Sequence, residues 1–154
     1  MPALFITRDD VRSNEIIALL DAHLTLMRSL SPPESVHALD LEGLRGPDIT
    51  FWRAEMAGEL VGCGALKELN NTAGEIKSMH TAAAHRGKGI AAALLRYVMT
   101  TARERGYQQL FLETGSQPGF EPARLLYKQF GFSVCPPFAG YVLDPNSVFM
   151  TIDL

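Results

Sequence analysis

A strand-like run that empties through a glycine-rich turn into an amphipathic helix constrains this chain more than any other feature. The run is Ile76 to Thr81 and the turn is Arg86-Gly87-Lys88-Gly89. The helix then carries Ile90, Leu94, Leu95, Val98 and Met99 at helical spacing. Arg96, Arg103, Glu104 and Arg105 fall where solvent can take them, and Gly106 supplies a stop. The first N–H groups of a helix have no intrahelical acceptor, and the aligned peptide dipoles make that end positive. Glycines let a bulky anion approach the backbone, and Arg86 and Lys88 add two charges beside it. The turn therefore reads as a phosphate or pyrophosphate site.

Two other phosphate motifs compete for this stretch. A P-loop needs Ser or Thr after its lysine, and Gly89 follows Lys88, which excludes it. Gly87-Lys88-Gly89-Ile90-Ala91-Ala92 does satisfy the relaxed dinucleotide fingerprint, with Glu113 near the spacing of a ribose-binding acid. In that fold, however, the first strand runs almost directly into the first glycine. Here Ala82 to Arg86 intervene, and the chain after Glu113 is too short for the remaining strand–helix units.

Arg86-x-x-Gly89-x-Ala91 resembles the R/Q-x-x-G-x-G/A signature of the GNAT superfamily of N-acetyltransferases, which cradles the pyrophosphate of acetyl-coenzyme A. Ala123-Arg124-Leu125-Leu126-Tyr127-Lys128-Gln129-Phe130-Gly131-Phe132 resembles that family's second signature, A-x-x-L-Y-x-x-x-G-F. The two motifs stand in the family's order, with a strand-like run from Gln109 to Glu113 between them. The resemblance implies an α/β fold, a mixed, mostly antiparallel twisted sheet with helices on both faces. It also implies acetyl-CoA as acetyl donor, held by Arg86, Gly87, Lys88, Gly89, Ile90 and Ala91 and by the central strand at Met79, His80 and Thr81.

On that strand the resemblance makes the Met79 N–H an oxyanion donor and pairs the backbone of Met79 and Thr81 with the pantetheine arm. Tyr127 occupies the position of a tyrosine that protonates the departing sulfur, and a phenol of ordinary pKa near 10 is protonated at neutral pH. Glu75 matches a glutamate that acts through water as base, with Glu113 its rival. His80 is expected to alternate away from Met79, and His85 to line the phosphate loop. One departure stands out: where the second motif often starts with a cofactor-contacting Asn, this chain has Phe120. Its ring would cover the pantetheine or the acceptor pocket instead.

The 154 residues, 47% hydrophobic and 20% charged, suit one domain over 1–154. A formal net charge of −3 argues against a general nucleic-acid binder. Cys63 and Cys135 form no disulfide framework, no His/Cys/Asp/Glu cluster has metal-ligand spacing, and no leader or long apolar run is present. The expectation is a cytoplasmic protein without metal or membrane partner.

Leu4 to Thr7 reads as a first strand, with Asp9 or Asp10 capping a helix of Ile16, Ile17, Leu19, Leu20, Leu24, Leu26 and Met27. Ser31-Pro32-Pro33-Glu34 reads as the start of a second helix reaching Leu41 and carrying His37. Ile49 to Met56 and Leu60 to Leu69 form a hairpin, and Gly62 and Gly64 mark a close approach or a bulge. Trp52 reads as sheet-face packing. A strand from Ser147 to Ile152 closes the sheet.

Phe138, Tyr141 and Asp144 follow on a loop that would wall the acceptor pocket, an aromatic–acid set suited to a cationic amine. The function expected is therefore acetyl transfer to a primary amine of a small molecule or peptide, directly in a ternary complex. The alternatives are a silent acyl-CoA-binding module and a small dinucleotide-binding protein. The resemblance is compatible with a homodimer.

Overall fold

A computed structural model describes residues 2–154. Strand β1 (Leu4–Arg8) leads to helix α1 (Asn14–Leu30), a short α2 (Leu41–Leu44) and the strands β2 (Ile49–Met56), β3 (Glu59–Asn70) and β4 (Ala73–Thr81). Helix α3 (Ile90–Glu104), β5 (Gln109–Gly115), α4 (Glu121–Gln129), β6 (Ser133–Val134) and β7 (Ser147–Asp153) follow. The seven strands form one sheet in the order β1-β2-β3-β4-β5-β7-β6. Every pair is antiparallel except β4–β5, which is parallel and needs the α3 crossover between its strands. The expected mixed, mostly antiparallel α/β architecture is what the chain adopts.

Adjacent side chains on a strand point to opposite faces, so the sheet can be covered on both. Ile16, Leu19 and Leu20 of α1 pack on Phe51, Cys63 and Ala65. On the other face, Leu95, Val98, Met99 and Ala102 of α3 pack on Trp52, Leu66, Ile76, Leu110 and Leu112, joined by Tyr127 and Phe132. Full burial of one such aliphatic side chain is worth about 1.5–3 kcal/mol. Trp52 is core, with its ring against Tyr97 at 5.8 Å between centroids. The β2–β3 hairpin turns on Ala57 and Gly58, whose φ angles of 53° and 77° match the mirror-image turn that fits twisted strands.

Two expectations about the first third are corrected. Ser13, not Asp9 or Asp10, caps α1: its Oγ accepts from the Ile16 N–H at 3.2 Å. Asp9 instead accepts from the Val11 N–H at 2.7 Å and from Arg53 at 3.1 Å. This holds Val11 in a left-handed corner at φ 63°. Ser31 does not start a helix but ends α1, its N–H donating to the Met27 carbonyl. The Pro33–Ser35 turn is a single 3₁₀ turn, and His37 lies on the non-helical stretch before Asp40 caps α2. Long-range bonds defeat the local signal: Ser35 Oγ donates to Asp144 Oδ2 at 2.6 Å, and the His37 carbonyl accepts from Lys77 at 3.4 Å.

Gly62 is a close approach, as expected. A Cβ there would lie 3.0 Å from the His80 carbonyl, 3.1 Å from Ile90 Cγ2 and 3.2 Å from Leu94 Cδ1. Because a backbone oxygen and two packed side chains must all give way, Gly62→Ala is expected to lower stability by about 1–3 kcal/mol. A denaturant titration checks this; an unchanged midpoint would show that α3 stands off from the sheet more than the contacts imply.

Candidate active site

The site begins with one extra residue in β4. Lys77 pairs with Ala65 and His80 with Cys63, so Ser78 and Met79 together stand opposite Gly64. Ser78 takes φ 55°, a left-handed conformation that residues other than glycine seldom adopt. The bulge resets the alternation. Lys77 and His80 both face α1, while Met79 turns to the α3 face, its sulfur so close that a Cβ on Gly64 would lie 2.6 Å from it. Met79 and His80 thus point apart, as alternation requires.

Pairing between β4 and β5 ends at the same place. The parallel ladder runs Ala73–Gln109 to Ile76–Leu112 and no further, while β5 continues against β7 to Gly115. Beyond Ile76 the two strands part, and a cavity of about 120 Å³ opens between them. From β4 it is lined by Glu75, Lys77, Ser78 and Met79, and from β5 by Glu113 and Gly115. Tyr127 of α4, Tyr141, His23 of α1, and His37 also line it, with the hydroxyls of Ser31, Ser35 and Thr114. Phe120 lines it too, stacked so tightly on the end of β5 that a side chain at Gly115 would collide with its ring.

The charges in this cavity are paired unevenly. Glu75 is only 3% exposed, and its Oε2 accepts from Lys77 Nζ at 3.1 Å and from the Tyr141 hydroxyl at 2.6 Å. Lys77 Nζ also donates to the Tyr141 oxygen at 3.0 Å, closing a three-membered network. Burial and then the Glu75 charge hold the Tyr141 phenol far above its ordinary range. Glu113 is not part of that network, and burial pushes its carboxyl up to about 7, against the pull of the Ser147 hydroxyl and then of Lys77. Tyr127 is pushed up to about 12 by burial and then by Glu113, so it keeps its proton at neutral pH.

The glycine turn lies at the end of the parted strand. Gly87 and Gly89 have φ of 78° and 80°, and no atom lies within 4 Å of where their Cβ atoms would be. Glycine is required there by the backbone path, which leaves the surface open. The first bond inside α3 is from the Ala93 N–H to the Gly89 carbonyl, and no side chain caps the helix. The N–H groups of Ile90, Ala91 and Ala92 thus sit at an uncapped positive end beside Arg86 and Lys88. His85 bridges Lys88, 3.1 Å away, and Glu59, 3.2 Å away, at the rim of this loop.

Of the residues singled out from sequence, Glu75, Met79, Tyr127 and Tyr141 meet on one cavity, and Arg86 to Ala91 form the open turn. Phe138 and Asp144 do not join them. Phe138 is buried among Phe111, Tyr141 and Phe149, with ring centroids 4.8, 5.0 and 5.9 Å away. Asp144 accepts from Ser35 Oγ and from the Asn146 N–H at 2.8 Å, which pins its loop. Sequence reasoning missed Lys77 and His23. Lys77 was visible only as a lysine within the central strand-like run, and His23 as the residue between Leu19 and Met27 at i, i+4 spacing on the inner face of α1.

Residues 16–132 match the sequence model of the acetyltransferase (GNAT) family. The chain belongs to this family. A relative described as the uncharacterized N-acetyltransferase YsnE of Bacillus subtilis (strain 168) is 57% identical over 93% of this chain and 95% of its own. Another, YedL of Escherichia coli (strain K12), also described as an uncharacterized N-acetyltransferase, is 44% identical over 97% and 94%. A GNAT family acetyltransferase from Elizabethkingia anophelis, solved with acetyl-CoA bound, shares the fold with a TM-score of 0.71 and 18% identity, covering 98% of both chains. Among the described residues, no helix of this GNAT protein is long and apolar enough to cross a membrane.

Removing one partner of a buried ion pair strands the other charge. Lys77→Met is therefore expected to cost about 3–5 kcal/mol of stability. The double variant Lys77→Met, Glu75→Gln should recover most of that loss in the same unfolding titration. A double variant as unstable as the single one would show that Lys77 acts by packing rather than by charge.

Proposed function

We propose that this GNAT chain moves an acetyl group from acetyl-CoA to a primary amine of a small molecule or peptide, within one ternary complex. The observation that carries this reading is the parting of β4 and β5 beyond Ile76, with a protonated Tyr127 and a poised Glu113 on the gap. The residues present fit the donor. The unpaired edge of Lys77 to Thr81 suits an extended amide-bearing arm, and the open turn from Arg86 to Ala91 suits its pyrophosphate. When bound, acetyl-CoA supplies a thioester whose carbonyl carbon accepts the amine.

Each residue then has a separate task. A free N–H on the parted strand near Met79 faces an oxygen that gains negative charge, a contact worth about 3 kcal/mol in comparable sites. An alkylamine of pKa near 10.4 must lose a proton before it can attack. Glu113 is the base in this reading, since its carboxyl is held at about 7 and no ion-pair partner meets it among the described residues. Glu75 already accepts two hydrogen bonds on one oxygen, so it fixes Lys77 and Tyr141 in the wall. Tyr127 returns a proton to the departing sulfur. The reading takes residues 1–154 as a single acetyltransferase domain working in the cytoplasm.

Three measurements test it. Acetyl-CoA at a hundredfold excess over Kd should add about 2.7 kcal/mol of stability in a thermal-shift titration, with NADH without effect. Stabilisation by NADH alone would sink the reading. Tyr127→Phe should lower kcat about a hundredfold with acetyl-CoA affinity unchanged; an unchanged kcat removes its role. A carboxyl at about 7 is a base only above that value, so wild-type kcat should rise through pH 7 and then level. Glu113→Gln should abolish that rise, and a rise that survives assigns the base elsewhere.

A further inference from the structure

The chemistry read from this site divides the gap between the two faces of the sheet. Tyr127 packs on the α3 side, with Ile76, Leu110 and Leu112. Alternation then turns Phe111 and Glu113 to the α1 side, where the Phe111 ring lies 4.8 Å from that of Phe138. Lys77 faces α1, and Glu75, two residues earlier and bonded to it, shares that face. With the sulfur departing towards Tyr127, the amine enters on the α1 side. There it meets Glu75, Lys77, Glu113 and Tyr141.

The cation on that face has nothing left to give. Lys77 is the only lysine or arginine lining the cavity among the described residues. An ammonium has three N–H donors and no acceptor. Those of Lys77 reach Glu75 Oε2 at 3.1 Å, the Tyr141 oxygen at 3.0 Å and the His37 carbonyl at 3.4 Å. The Tyr141 hydroxyl donates its own proton to Glu75 Oε2. Ser31 and Ser35 donate theirs to Gln117 Oε1 at 3.1 Å and to Asp144 Oδ2 at 2.6 Å. What stays open is acidic: Glu75 Oε1, which no hydrogen bond reaches among the described residues, and the Glu113 carboxyl. An ammonium finds two carboxyl groups here; a carboxylate finds no cation to meet it.

The same face is roofed. Residues 31–38 hold Ser31 against Gln117, beyond the end of β5, and Ser35 against Asp144, ahead of β7. His37 lies over β4, its carbonyl on Lys77 and its ring 5.1 Å from that of Tyr141. The segment thus crosses the gap from one half of the sheet to the other. An apolar cavity of about 150 Å³ takes one benzene, and this one measures about 120 Å³. A slim alkylamine fits it end-on, and no open trough is left for an extended chain.

We propose that the acceptor is a small aliphatic amine bearing no carboxylate, its ammonium held between Glu75 Oε1 and Glu113. This names the substrate class of the acetyltransferase reading and rests on it. An amino acid would bring its own carboxylate against those two groups with Lys77 already engaged. Like charges facing one another away from water repel strongly, and specificity is often built from such a repulsion.

Wild-type protein with acetyl-CoA tests this by thiol release from matched acceptors, and needs no variant that has to fold. Cadaverine against lysine, and ethanolamine against serine, differ by one carboxylate. The member without it should have the higher kcat/KM, by about a hundredfold. Equal values, or a preference for the amino acid, overturn the proposal while the acetyltransferase reading stands. So does an end-blocked lysine peptide acetylated as fast as cadaverine. Glu75→Gln should narrow the advantage of cadaverine over lysine to about tenfold; an undiminished ratio overturns the part given to Glu75 Oε1. If wild type binds acetyl-CoA yet acetylates no amine of either kind, the acetyltransferase reading falls and the proposal with it.

Discussion

The geometry of the candidate site depends on a single unpaired residue in β4. Were Ser78 a regular strand residue rather than a bulge, strict alternation would put Met79 on the α1 face beside Lys77 and turn His80 towards α3. The bulge does more than re-aim side chains. It coincides with the last rung between β4 and β5, and the added twist of a bulged strand is what a sheet uses to part there. The opposite facings of Met79 and His80 follow from it. Gly64 makes the bulge possible: opposite the extra residue there is room for the Met79 sulfur only because no Cβ occupies it.

The two carboxylates of the cavity show how environment separates identical groups. Glu75 is the more deeply buried of the two, yet a lysine and a phenol meet one of its oxygens. Glu113 shares the cavity but has no cation in contact, so desolvation dominates and its carboxyl is raised. A raised carboxyl binds more protons when folded than when unfolded, so it detracts from stability as pH rises from about 4.5 towards 7. The site therefore weakens the fold slightly in the pH range where Glu113 ionises.

Much of this was legible in the sequence, and the gaps have physical reasons. The strand and helix order and the position of the glycine turn follow from local periodicity and from where the glycines fall, and the two motif stretches from their resemblance to the family's signatures. The segment from Ser31 to Leu41 was misread because its helix-start chemistry is overridden by Asp144 and Lys77, residues far away in the chain. Phe138 and Asp144 were grouped with Tyr141 because they share a loop. Only the folded chain shows that this loop turns one ring into the core and spends the acid on Ser35. Lys77 and His23 escaped notice because each looks ordinary until β4 and α1 are laid together.

The short β4–β5 ladder has a mechanical meaning. Four rungs, from Ala73–Gln109 to Ile76–Leu112, make up the strand pairing between the β1–β4 half of the sheet and the β5–β7–β6 half. Below the bulge the halves are joined like the blades of a partly opened pair of shears, with Ile76 near the pivot. Any extended arm that lies in the gap adds rungs on the open side. Occupancy of the site and stiffness of the whole sheet are then the same quantity, seen from two ends.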